Sequence, residues 1–413
     1  MTTDNQHIPS GYKPSPIGII PEDWEVKRLG DLGSLKNGLN FTPNEDGISY
    51  YFLGVGDFQD KTDIHANELK QIRLANELDK EYHLKDDDLV FVRSNGSKSL
   101  VGRCVIIHAD HVKATYSGFC IRFRTTIEET SSQYIKHVID AGYLQRFLQY
   151  EGRGTNISNL NQEILGRLTF PLPDLKEQQN IQNVLSLWDT AIAKQAQLIE
   201  KLTLRKKGLM QQLLTGKKRL KGFEGEWKEV RLGDVFDERN ETNRDDLPLL
   251  SITGDKGVIY QSESDKRDIS NEDKSKYKRI CPNDIGYNTM RMWQGRSALS
   301  ELEGIVSPAY TIVTPKDIID VRFMAMLIQQ PRIVYGFWTH SQGLVSDTLN
   351  CKYPDFCQVK VSIPLKEEQT AIANLFIEID KEIEIQKQKL ATLQEQKKGL
   401  MQVLLTGKKR IMQ

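Results

Sequence analysis

One fifteen-residue stretch occurs twice in this chain. Residues 206–220 read KKGLMQQLLTGKKRL and residues 397–411 read KKGLMQVLLTGKKRI, identical at 13 of 15 positions at an offset of 191 residues. The match runs upstream at the same offset: Glu177, Gln178, Ile181, Asn183, Asp189, Ile192 and Gln195 answer Glu368, Gln369, Ile372, Asn374, Asp380, Ile383 and Gln386. Two copies this similar define a duplicated supersecondary element, and any fold must accommodate it twice.

The element reads as a long helix. Leu185, Ile192, Ile199 and Leu213 step by seven, interleaved with Trp188, Leu202 and Leu209, which is the a/d seam of a coiled coil. Phe376, Ile383, Leu390 and Leu404 repeat the first track, and Ile379, Leu393 and Leu400 the second. Gln195 and Gln386 interrupt the d track and Lys206 and Lys397 the a track, at the same places in both copies. A helix over 178–214 makes a rod of roughly 55 Å. Two rods with one apolar stripe each suit one another, although docking of each stripe on its own globular domain meets the same pattern. For an antiparallel pair about a pseudo-two-fold axis, the reading places Gln195 near Gln386 beside the axis, fixing register, and Lys206 far from Lys397. The alternative leaves both glutamines facing solvent.

The repeat reaches beyond the helices. EDWEVKRLGD in the first half answers GEWKEVRLGD in the second: Trp24, Arg28, Leu29, Gly30 and Asp31 match Trp227, Arg231, Leu232, Gly233 and Asp234. The region between the two matched ends is 12 residues shorter in the second copy, and the two interiors hardly resemble each other. Similar frames around dissimilar interiors mean that both halves present one surface to a common partner while each recognises something different. The interiors read as α+β, with strands in DDDLVFVRS, GRCVIIH and GFCIRFRT and one helix over 131–150. In the second copy NDIGYNTM, EGIVSPAYTIVTP and FMAMLIQQPRIVYGFW play similar parts. The divisions expected are a loosely held Pro/Gly/Ser-rich leader at 1–21, globular domains at 22–173 and 217–363, a long helix at 174–216, and a second one with a basic tail at 364–413.

Polar loops carry the candidate recognition residues. The first half offers Arg93, Ser94, Asn95, Ser97, Lys98 and Arg103, then Arg153, Thr155 and Asn156. The second offers Arg291, Trp293, Gln294 and Arg296, then His340, Ser341 and Gln342. Arg, Asn, Gln and Ser are the side chains that read base edges bidentately or clamp phosphates. Each such loop, taken singly, also fits a solvated turn.

Composition narrows the class. Lys plus Arg equals Asp plus Glu at 56 each, so a nucleic-acid binder with this balance confines its basic residues to patches or shares phosphate contact with partners. Five cysteines, Cys104, Cys120, Cys281, Cys351 and Cys357, include no CxxC pair and fit a reducing compartment; with no targeting or membrane-spanning run, the reading is cytoplasmic. No cofactor loop, nucleophile pair or metal-ligating set stands out: GVGD at 54–57 lacks a third glycine, and no Ser or Thr follows Lys217. No catalytic residue or metal ligand is expected.

The Trp…RLGD entry, the variable interior, the PLP or IPL step into an EQ-initiated helix (Pro171 to Pro173, Ile363 to Leu365), and the repeated GLMQ.LLTGK end resemble the specificity subunit of type I restriction-modification enzymes. The resemblance spans nearly the whole chain after the leader. It implies an α+β fold of two target-recognition domains joined by two long antiparallel coiled-coil helices in a pseudo-two-fold repeat. It also implies that each domain reads one half of a split site in double-stranded DNA, with the helices as a ruler setting the spacer. Two methyltransferase (M) subunits would grip the frame and restriction (R) subunits would join through the complex. S-adenosylmethionine, ATP and Mg are then expected on those partners, with no cofactor on this chain. A free-standing enzyme requires motifs that are missing, and a coiled-coil adaptor without DNA binding predicts no basic recognition surface.

Overall fold

A computed structural model of the chain describes residues 8–42, 46–59, 61–94, 100–151, 160–254, 256–264, 270–343 and 349–411. Its two longest elements are the helices Leu175–Leu213 and Lys366–Leu404, 39 residues each, or about 58 Å of rise. The first starts where the Asp174 carboxylate accepts the Glu177 N–H. Each ends at a glycine held at positive φ, Gly216 at +69° and Gly407 at +71°, where a side chain would be strained.

Two units emerge, residues 1–195 with 389–413 and residues 196–388, and each long helix is shared between them. In the first unit, Ile181 and Leu185 share a core with Met401, Leu404 and Leu405, and Lys397 pairs with Asp189. Contacts that advance along one helix while receding along the other make these segments antiparallel. The second unit repeats the arrangement, with Leu213 and Leu214 in one core with Ile372, Ala373 and Phe376, and Lys206 Nζ 2.6 Å from Asp380 Oδ2. The lysines that interrupt the seam are therefore each neutralised by an aspartate of the other helix. Along the seam Leu185, Gln195, Phe376 and Ile383 are buried, while Trp188, Ile192, Ile199, Leu202, Ile379, Gln386, Leu390 and Leu393 are half-buried. Neither glutamine is solvent-exposed, and the stripes serve both readings: the two helices pair antiparallel, and their ends also dock on globular cores.

The first unit is built on a five-stranded sheet, ordered Gly33–Asn37, Cys120–Thr125, Leu89–Val92, Cys104–His108, Asp63–His65, and a three-stranded one, Ala114–Tyr116, Ile48–Leu53, Gln71–Leu74. The second unit has a four-stranded counterpart, Phe236–Arg239, Tyr310–Pro315, Ile285–Asn288, Ser297–Leu299. Registers identify Gly33 with Phe236 and Phe123 with Val313. A Cβ on Gly33 would lie 2.8 Å from the Phe123 ring, so bulk is exchanged between the same two strands in the two units. The expected helix over 131–150 is broken into Ser132–Asp140 and Tyr143–Glu151 at Gly142, φ +84°. Likewise Pro331 starts a new helix, Pro331–His340, after Val321–Leu327. The described part of the leader, from residue 8, is not loosely held: Tyr12–Ser15 pairs with Gly18–Pro21, Ile20 is buried, and the Tyr12 hydroxyl donates to the Gly407 carbonyl at 2.8 Å.

The repeated residues around the helix ends have internal reasons. Gln178 and Gln369 are fully buried; each donates to the carbonyl of the proline five residues back and accepts from a backbone N–H, of Ser131 and Asp320 respectively. Glu177, nearly buried, accepts from Trp24 Nε1 at 2.9 Å and from Arg410 at 2.6 Å on both oxygens; Arg219 grips Glu368 in the same bidentate way. The basic tail thus supplies a clasp at Arg410, which also binds Asp23. Gly30 and Gly233 sit where any Cβ would press on Gly166 and Cys357.

His137, on Ser132–Asp140, is buried with Nδ1 unpartnered among the described residues. Burial first, then Lys397 and Lys136 against the weaker pull of Asp189 and Asp63, lowers its pKa to about 4. A folded pKa below the unfolded value of about 6.5 means that the unfolded chain binds the extra proton between those pH values. The associated stability is complete above pH 6.5 and drains away toward pH 4, by about 3 kcal/mol. Urea midpoints at pH 7 and 4.5 should show this loss in the native chain and a smaller one in His137→Gln.

Candidate nucleic-acid interface

The second unit gathers unused cationic donors into one open cavity of about 500 Å³. Its wall is the turn joining Ile285–Asn288 to Ser297–Leu299. That turn is fixed from below: Met292 is fully buried, Trp293 Nε1 donates to the Met290 carbonyl at 3.0 Å, and Asn288 N–H donates to the Arg296 carbonyl at 3.1 Å. Gly295, φ +75°, permits the reversal. Asn288, Arg291, Gln294 and Arg296 line the cavity from this side, Tyr310 from the neighbouring strand, and Thr253, Gly254 and Lys256 from the hairpin between Leu250–Ile252 and Val258–Tyr260.

Half of the described arginines of this unit are committed to carboxylates: Arg239 to Asp284, Arg244 to Asp246, Arg279 to Glu241 and Glu303, Arg322 to Asp320, Arg219 to Glu368. Arg291 and Arg296 make no side-chain hydrogen bond or ion pair among the described residues, so all their donors face the cavity or solvent. The Arg296 guanidinium points its Nη1 end-on at Gly254, where a Cβ would come within 2.1 Å of it. Such an arrangement can clamp an acidic oxygen or read two acceptors on one base edge.

Of the residues expected from sequence, Arg291, Gln294 and Arg296 converge here. Trp293 spends its indole N–H on holding the turn. Ser341 and Gln342 do not line the cavity: Ser341 Oγ donates to the Phe337 carbonyl, closing Pro331–His340, and Gln342 Nε2 donates to Asp355. Thr253, Lys256, Asn288 and Tyr310 were missed; the Thr-Gly-Asp-Lys-Gly turn at 253–257 was the available signal for the first two.

The first unit has the corresponding turn. Val92 N–H donates to the Arg103 carbonyl at 2.9 Å as Asn288 does to Arg296, and Arg93 N–H donates to Phe119 O as Thr289 does to Ala309 O. Arg103 is therefore the structural counterpart of Arg296. Arg93 and Ser94 are half-buried at the start of the turn. Arg103 lines a cavity of about 350 Å³ with Lys61, Lys136 and Asp140, and Arg93 is not part of that lining. Asn95, Ser97, Lys98, Arg153, Thr155 and Asn156 lie outside the described residues.

Two variable α+β units on a repeated frame of shared long helices define a duplicated recognition subunit. Residues 21–204 and 224–395 each match the family profile of the type I restriction modification DNA specificity domain, and the chain belongs to that family. Over 97% of its length it is 27% identical to 97% of a Methanocaldococcus jannaschii chain called the type I restriction enzyme MjaX specificity subunit. The MjaVIII specificity subunit of the same organism is 25% identical over 95% of this chain and 94% of its own. A solved structure from work on assembly and conformational transition of the type I R-M system superposes with a TM-score of 0.61 at 16% identity, covering 94% of this chain and 99% of that one. The HsdS subunit of Thermoanaerobacter tengcongensis gives 0.51 at 15% identity over 94% and 98%. Members of this family are non-catalytic components that act within a complex with M and R subunits and bind DNA. Among the described residues no helix is long and apolar enough to cross a membrane.

Proposed function

We propose that this chain is the DNA-reading subunit of a cytoplasmic type I complex in which each unit reads one half of a bipartite site and two copies of one methyltransferase subunit grip the repeated frame. S-adenosylmethionine, ATP and Mg belong, on this reading, to the partner subunits. The observation that carries it is a repeat with no internal purpose. Trp24, Gly30, Glu177, Gln178 and Arg410 and their counterparts are explained by packing inside each unit. Lys207, Gln211 and Lys218 and their counterparts Lys398, Gln402 and Lys409 are solvent-exposed, identical in both copies, and bury nothing. Gly208 and Gly399 likewise have no atom of another part of the chain within 4 Å of a built Cβ. A helix-interior glycine costs about 1 kcal/mol relative to alanine, so its retention twice over favours close approach by an external backbone. The turns bearing Arg93 and Arg291 differ, as halves reading different bases require.

Weighing the purified complex tests the stoichiometry. Lys207→Glu with Gly208→Gln should remove one methyltransferase subunit of two, Lys398→Glu with Gly399→Gln should remove one as well, and the four changes together both. Full occupancy in the fourfold variant rejects this face. Methylation-sensitive sequencing of DNA from cells expressing the chain with its methyltransferase should return a bipartite motif, and a continuous or absent motif rejects the reading.

A further inference from the structure

Unused arginine donors gather at a second place in the same unit. Arg231 and Lys360 are direct cross-strand partners of the antiparallel pair Lys228–Arg231 and Lys360–Ile363. Like charges directly opposite on one face of a ladder repel and destabilise it. Arg332, Gly336 and His340, four residues apart along Pro331–His340, present one helix face to the same spot. Together these residues line a cavity of about 360 Å³ whose walls include no carboxylate. Two carboxylates lie nearby, Asp234, whose Oδ2 accepts the Arg231 backbone N–H at 3.0 Å, and Glu229, 2.8 Å from Lys360 Nζ, whose pKa is lowered first by Lys360 and last by Arg332. Neither Arg231 nor Arg332 makes a side-chain hydrogen bond or short ion pair among the described residues. The first unit lacks the arrangement, because Arg28 there faces Thr169.

Three cations around a cavity with no carboxylate in its lining, held in place at the expense of a like-charge strand pair, call for an anion. Cationic donors outnumber the single amide of Gln358 in the lining, and no carboxylate is among it, which fits the oxygens of a phosphodiester. Beside Arg332 the rings of Tyr335 and Trp338 stack at 5.5 Å with both side chains exposed. Arg231 is matched by Arg28 in the repeat, but its cross-strand partner is Lys360 where Arg28 has Thr169, so the assembled site belongs to the second unit and matches the ligand that differs between the halves, which is DNA, and not the partner common to both. Resting on the DNA-reading function above, we infer that the cavity of Arg231, Arg332 and Lys360 holds a backbone phosphate of the DNA bound by the second unit.

The test is binding of the intact complex with its methyltransferase subunits to duplexes carrying the bipartite motif, measured from 50 to 200 mM salt. Arg231→Gln and Arg332→Gln, both on exposed residues, should each flatten the log–log salt slope by about 0.9, so the affinity deficit against the native complex shrinks roughly 3.5-fold across that range. Preference for the motif over a duplex altered in the second half-site should stay unchanged. A native slope in both variants overturns the inference, and so does loss of the methyltransferase subunit from either, which would assign the cavity to a protein carboxylate. If the native complex itself prefers no motif, the DNA-reading function fails and this inference falls with it, a result distinct from native preference with unaltered variants.

Discussion

A chain ended after Gly399 should lose the fold of its first unit while the second stays intact. The deleted residues include Met401, Leu404 and Leu405, buried in the core that also holds Trp24, Phe170 and Leu185. Each contributes about 2 to 3 kcal/mol of burial. Loss of Arg410 leaves Glu177 buried with only the Trp24 N–H, a further 3 kcal/mol or so after allowing for the arginine's partial exposure. The total, about 10 kcal/mol, matches the whole stability of a typical domain. The second unit keeps its own closure, since Leu213, Leu214 and Arg219 lie upstream of the cut. Limited proteolysis should therefore cut within 8–195 and leave most of 196–388 protected, and a synthetic 389–411 peptide should restore protection. A peptide of 196–220 should restore it less well: it carries Gln212 where Val403 packs against that core. Equal protease sensitivity of both units would show that the helix end is dispensable.

The frame was legible because duplication marks it. Two sequences that agree at 13 of 15 positions announce a shared task, and heptad spacing placed both long helices within a few residues of Leu175–Leu213 and Lys366–Leu404. Spacing along one helix says nothing of what faces it, so the pairing of Lys206 with Asp380 and of Lys397 with Asp189 was invisible. The division of each long helix between the two units was hidden for the same reason. Composition marked the polar turns but not how they spend their donors. Arg291 and Arg296 keep theirs, whereas Ser341 caps a helix, Gln342 ties to Asp355 and Trp293 holds its own turn. Lys256, Asn288 and Tyr310 reach one cavity from three chain segments, a convergence set by strand register and absent from any local pattern.

Replacing Arg291 and Arg296 together by alanine should abolish recognition of one half-site and spare the other. A bidentate arginine on a guanine discriminates by about 1 to 3 kcal/mol, so the pair supplies roughly 30-fold to 10⁴-fold. The first unit's turn, with Arg93 and Arg103, is built from other residues and keeps its preference. A general loss of charge contact would weaken binding to every sequence alike, so the readout is the methylated motif, which should become degenerate at bases of one half only. Gly254→Val separates position from charge. Its side chain occupies the space that the Arg296 Nη1 takes against Gly254 and forces that group off the hairpin, with both arginines still present. The φ of Gly254 is not in the left-handed region, so a side chain there adds no backbone strain of that kind. Gly254→Val should therefore reproduce the Arg296→Ala motif with an unchanged salt slope. Degeneracy in both half-sites, or none with either variant, would place base reading elsewhere in the unit.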